Sequence, residues 1–115
     1  LVTGPRAGDI VAALGKSPVS DLPFMGCGRF DIGLIRAHVG RLSFTGELGF
    51  EIHCRAAEHV ALRRALLATG AAHGLREIGF NTSVILRLEK SFGIWSHEFT
   101  QDRTPGETGM DRWID

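Results

Sequence analysis

Charge of either sign is not in excess: 13 basic and 13 acidic residues cancel across 115 positions. A nucleic-acid surface needs a clustered basic surplus, so that class is excluded. No apolar run approaches the ~18 residues of a membrane span, and no targeting segment is read at the start. Cysteine is scarce. Cys27 and Cys54 have neither metal-ligand spacing nor a disulfide framework, and both are expected as reduced thiols in strand-like surroundings. A Gly-x-Gly-x-x-Gly run after a strand is missing, as is a phosphate-cradling loop, so no dinucleotide fold is present. No Ser-His-Asp or Cys-His arrangement stands at a recognisable spacing. Repeats, low-complexity tracts and internal linkers are also lacking. We therefore expect a soluble protein of the cytoplasm (the mitochondrial matrix in a eukaryote), without nucleic-acid or membrane partners.

What is present suits one folded domain. Hydrophobic residues make up 43% of the chain, which excludes disorder. A chain of this size buries on the order of 65% of its unfolded surface. The first residue is Leu1, and Arg112-Trp113-Ile114-Asp115 reads as a strand being started, so we expect a piece of a longer protein.

Leu1 to Thr3 reads as a short strand, and Gly4-Pro5 opens a helix with Pro at a tolerated first position. Ile10, Val11 and Leu14 give that helix its buried stripe, and Gly15 ends it. A polar loop is expected over 16–22, then an extended segment from Pro23 through Ile35, and a strand from Arg36 to Ser43. Ala56 to Thr69 reads as a helix capped by Gly70, and Asn81 to Lys90 as another. Strands that meet mainly through hairpins predict an α+β fold. We expect a ferredoxin-like split βαβ unit with an antiparallel sheet and helices on one face.

The most informative run is Leu42-Ser43-Phe44-Thr45-Gly46-Glu47-Leu48-Gly49-Phe50-Glu51-Ile52-His53-Cys54. Its glycines mark a turn between two strand-like stretches. Past the turn, period two puts Phe50, Ile52 and Cys54 on one face and Glu51 and His53 on the other. A strand carboxylate close behind two glycines suits a planar heterocycle with adjacent N–H donors, such as a 2-amino-4-oxopteridine. The plain alternative is a solvated strand-face acid. Arg87 has two readings as well: a structural guanidinium paired with a Glu, or a planar fork near the ligand or near Glu51. Glu47 reads as a solvated or loop-bracing acid, and His53 as a strand-surface histidine or a modulator of Glu51.

The run resembles the Tyr-(Thr/Val)-Gly-Glu-(Asp/Leu)-Gly-x-Glu segment of the folate-binding aminomethyltransferase family. That family includes the glycine-cleavage T protein and the C-terminal halves of sarcosine and dimethylglycine dehydrogenases. Ser83-Val84-Ile85-Leu86-Arg87-Leu88-Glu89-Lys90 is similar to the family's Ser-Leu-Arg-Leu-Glu-Lys helix. Trp95 to Phe99 and Thr104 to Met110 are similar to its Trp-Gly-x-Glu-(Leu/Tyr) and Thr-Pro-x-Glu-Ala-Gly-Leu segments, and Val2 to Arg6 to its strand followed by Gly-Pro. Glu89-Lys90-Ser91-Phe92-Gly93 and Met110-Asp111-Arg112-Trp113 lean toward the dimethylglycine dehydrogenase branch.

The resemblance implies a second ferredoxin-like unit over 1–100 and, over 101–115, the start of a connection to a C-terminal barrel. It implies tetrahydrofolate as the cofactor, bound through Glu51, Arg87 and Phe44, with the rest of the parent chain as partner. Phe44 stands where the family often has Tyr, so the phenol O–H is lost while an apolar ring remains. The family's catalytic Asp lies in the preceding half, so no catalytic residue carries over, and any FAD belongs to a domain outside this chain. The parent is expected to demethylate dimethylglycine, sarcosine or a related amine, giving 5,10-methylene-tetrahydrofolate. The alternatives are a glycine-cleavage aminomethyltransferase, another folate-dependent demethylase, or a non-catalytic scaffold of the same fold.

Overall fold

A computed structural model describes residues 1–16 and 18–114. Ser17, in the expected loop, and Asp115, in the expected last strand, lie outside the described residues. The elements are β1 (Val2–Thr3), α1 (Ala7–Leu14), β2 (Cys27–Ile32), β3 (Ile35–Gly40), β4 (Gly49–His53), α2 (His59–Gly70) and α3 (Phe80–Glu89). The four strands form one sheet in the order β1-β4-β3-β2, and every neighbouring pair is antiparallel. This is the expected α+β, ferredoxin-like arrangement.

Strand alternation decides what each face of the sheet does. Val2 pairs with Phe50, Val39 with Ile52, Phe30 with Ala37 and Ile32 with Ile35. All eight belong to the core or pack against it, together with Ala7, Ile10 and Val11 of α1 and Leu62 of α2. The opposite face is polar: Arg29 pairs with His38, His38 with His53, and Asp31 with Arg36. A register slip of one residue would bury those charges and expose the core, so the two faces fix the register.

Four segments differ from the sequence reading. The extended stretch through Ile35 is a hairpin, turned at Gly33 (φ 60) and Leu34, because only a left-handed residue lets the chain reverse there. The third strand ends at Gly40, not Ser43. Met25 N–H still reaches Arg41 C=O, but the chain then leaves the ladder as an ordered loop over 41–48. At 111–113 the chain makes a short helical turn where a strand was expected. The second helix also runs on past its expected cap, through a turn at 71–73, to Gly74 in the left-handed conformation.

Helix α3 inverts the usual pattern. It contributes nothing to the core: Phe80, Ile85 and Leu88 are exposed, and its buried residue is Arg87, 1% accessible. A buried guanidinium needs partners. Arg87 Nη1 donates to Phe92 C=O at 2.8 Å and to Glu98 Oε2 at 2.6 Å. Ile94 N–H donates to the same Glu98 oxygen at 2.9 Å. One carboxylate therefore ties the chain after α3 back onto the helix. Glu98 is therefore a structural residue.

Those bonds hold the Glu98 carboxyl below its ordinary value of 4.5, first through the Ile94 N–H and then through Arg87. The folded value is depressed, so its contribution to stability is complete above the ordinary value and is lost as pH falls through the lower one. Thermal unfolding followed from pH 7 to pH 2 is predicted to show a smaller acid-induced drop in Tm for Glu98→Gln than for the natural chain. At pH 7 the variant is predicted to be less stable than the natural chain, by more than Glu58→Gln, whose partner Arg55 is exposed.

Candidate functional site

The loop over 41–48 is irregular in backbone yet pinned at several points. Thr45 is buried, and its hydroxyl lies 2.8 Å from that of Thr3. Ser43 Oγ donates to Glu47 C=O at 2.6 Å, and Gly4 N–H to Leu48 C=O at 2.9 Å. Gly49 is forced to be glycine, since a Cβ there would overlap the Leu42 carbonyl oxygen. The loop therefore delivers the chain into β4 in a fixed pose. Glu47 braces it from outside, meeting Lys90 Nζ at 2.8 Å, in line with the sequence reading.

Glu51 follows on β4, opposite Gly40. It lies on the polar face, with its side chain 36% accessible and one oxygen 3.3 Å from His53 Nε2. The missing side chain at Gly40 leaves the carboxylate uncovered by its cross-strand neighbour. Phe50 and Ile52 point the other way, as the alternation predicts. Phe44 is half-buried in the loop. A cleft of about 400 Å³ opens beside the loop, walled by Gly46 to Gly49 and by the rings of Phe24 and Phe92. None of Glu51, Phe44 and Arg87 lines it.

Arg87 is committed differently from Glu51. Its Nη1 serves Glu98 and Phe92, while its buried Nε–H has no partner among the described residues. No hydrogen bond or ion pair among the described residues joins Arg87 to Glu51. What connects their segments is the Glu47–Lys90 pair, three positions beyond Arg87 on one side and four before Glu51 on the other. Sequence reasoning missed this link. The signal was present as Gly46-Glu47 and Glu89-Lys90, two short charged pieces in two separate motifs.

Among the described residues no group of three or more His, Cys, Asp or Glu is placed to hold a metal ion. No helix among them is long and apolar enough to cross a membrane. Cys27 and Cys54 are unbonded, Cys27 exposed and Cys54 half-buried. The candidate residues bring hydrogen bonding and charge: an open carboxylate on a strand, a braced glycine loop, and a buried guanidinium whose Nε–H has no partner among the described residues.

A model of the GCVT N-terminal domain matches residues 1–115. The aminomethyltransferase of Saccharopolyspora erythraea is 33% identical over 113 residues, 98% of this chain and 31% of that protein. That of Bacillus subtilis is 34% identical over 110 residues, 95% of this chain and 30% of that protein. The mitochondrial dimethylglycine dehydrogenase of Homo sapiens is 32% identical over 115 residues, 98% of this chain and 13% of that protein. The chain spans less than a third of the length of each of these relatives. The match along its whole length bears out the resemblance of its motifs: this chain belongs to the aminomethyltransferase family defined by the GCVT N-terminal domain.

Proposed function

We propose that this chain forms one wall of a tetrahydrofolate site in a larger one-carbon enzyme. The observation that supports it most is Glu51: an accessible carboxylate on a strand, facing Gly40, directly behind a loop whose Gly46 and Gly49 are closely packed by the Lys90 stem and the Leu42 carbonyl. Its two oxygens match the ring N–H and exocyclic amine of a pterin. Phe44 and Arg87 complete the proposed set, Phe44 as an apolar ring and Arg87 as a buried guanidinium whose Nε–H has no partner among the described residues. When bound, tetrahydrofolate would capture the iminium left after a flavin elsewhere in the parent takes two electrons from a methylated amine such as dimethylglycine or sarcosine, which would yield 5,10-methylene-tetrahydrofolate. This chain's part is to bind and orient. The residue that moves a proton, and any FAD, belong to other parts of the parent, for which residues 101–115 begin the connection to a barrel domain.

A second reading is favoured by two observations: Arg87 spends its Nη1 on Glu98, and Phe44 lacks the hydroxyl the family often carries. In that reading the chain is a scaffold of this fold and binds no pterin.

Two outcomes separate the readings. In the intact parent, Glu51→Gln replaces one acceptor with a donor facing a pterin N–H. Charge-assisted hydrogen bonds contribute roughly 1.5–3 kcal/mol, so folate binding and methylene-folate yield are predicted to fall roughly ten- to a hundredfold. Amine oxidation, measured in the same preparation, stays unchanged. If both reactions fall together Glu51 supports the fold, and if neither falls the pterin assignment fails.

The second outcome concerns the 115-residue chain alone, which presents one wall of the cavity. Calorimetry is predicted to find tetrahydrofolate binding far weaker than micromolar and no turnover. Saturation at micromolar ligand would show a self-contained site and overturn this partition.

A further inference from the structure

The Glu47–Lys90 contact looks at first like an ordinary surface ion pair. The side chains are 42% and 49% accessible, and such pairs add little to stability. Its surroundings are not ordinary. Gly46 adopts φ +78, and a Cβ built there would lie 2.6 Å from both Cβ and Cγ of Lys90. The aliphatic stem of Lys90 therefore lies directly across the loop backbone, and its ammonium reaches the next residue along. Only glycine allows both the left-handed turn and this approach. The Lys90 ammonium is held above its ordinary range, first by the hydrogen bond to Glu47 and then by that residue's charge.

The backbone under Lys90 is fixed as well. Ser91, a non-glycine residue, takes φ 56, where L side chains are costly. That conformation closes α3: Ser91 N–H donates to Leu88 C=O at 3.0 Å and Phe92 N–H to Arg87 C=O at 2.9 Å. Arg87 Nη1 then returns to Phe92 C=O. At the other end, Thr45–Thr3 ties the loop to β1, which pairs with the start of β4, and Ser43–Glu47 braces the loop internally.

Building on the tetrahydrofolate reading above, we infer that Glu47, Lys90 and Gly46 form a positioning clasp. It sets the spacing between the strand that carries Glu51 and the helix that carries Arg87. Neither Glu47 nor Lys90 is asked to touch the ligand. A pocket whose two walls belong to separate segments needs such a tie, because a misplacement of about 1 Å is costly to ligand geometry.

Three variants of the intact parent test the clasp: Lys90→Met, which keeps the stem and removes the charge, Glu47→Gln, and the exchanged pair Glu47→Lys with Lys90→Glu. Amide hydrogen exchange is read at Gly46 to Leu48 and at the core strands, and tetrahydrofolate affinity is read by NMR titration with Glu51→Gln as the control. We expect exchange at the loop to rise roughly three- to fivefold in each single variant. Core amides stay unmoved, affinity falls by a similar factor, and the exchanged pair restores both.

Unchanged loop exchange in the single variants would overturn the clasp. So would faster loop exchange with unchanged affinity, provided Glu51→Gln does weaken binding. A fall in core protection along with the loop would also overturn it, as a general stability effect. If Glu51→Gln leaves affinity untouched the pterin reading fails instead, and the exchange data still decide whether the loop is clasped.

Discussion

The buried charge of Arg87 is the constraint from which the α3 side of this molecule follows. A guanidinium this deeply buried must be met by acceptors, and the chain supplies Glu98 and the Phe92 carbonyl. Meeting them forces residues 90–98 to fold back over the end of α3. That return places Lys90 over Gly46 and beside Glu47, and the loop in turn sets how β4 begins. The arrangement is one of hydrogen bonds and close backbone approach. The apolar core of α1, α2 and the sheet stands behind it as a separate and more conventional layer.

This division explains the exposed apolar surface. Phe80, Ile85 and Leu88 of α3 face outward together with Trp95 and Trp113, while the polar residue is inside. The chain spans less than a third of the length of the relatives it matches.

The core layer was legible in the sequence because period decides it. Alternation in Phe50, Ile52 and Cys54 gave β4 its two faces, and the stripe Ile10, Val11 and Leu14 gave α1 its orientation. Where backbone conformation decides, the sequence was silent or misleading. Gly33 and Leu34 reverse the chain inside a run that reads as continuous strand, and apolar character carries no information about a left-handed turn. The end of the third strand was misplaced for a similar reason, because Leu42 and Phe44 look like strand residues while tertiary pinning of Thr45 holds them in a loop. Of the three expected ligand residues, Glu51 was placed correctly on its face. Arg87 was located in its helix, but its pairing with Glu98 spans 11 positions and follows from no periodicity.

The central claim is that Glu51 accepts two hydrogen bonds from one edge of a pterin. The most direct measurement compares tetrahydrofolate with an analogue lacking the 2-amino group, each binding to the natural parent protein and to its Glu51→Gln variant. The account predicts that losing the amino group weakens binding to the natural protein about tenfold and to the variant by no more than about twofold. An equal loss in both proteins would mean that Glu51 does not touch that edge, and would contradict the account.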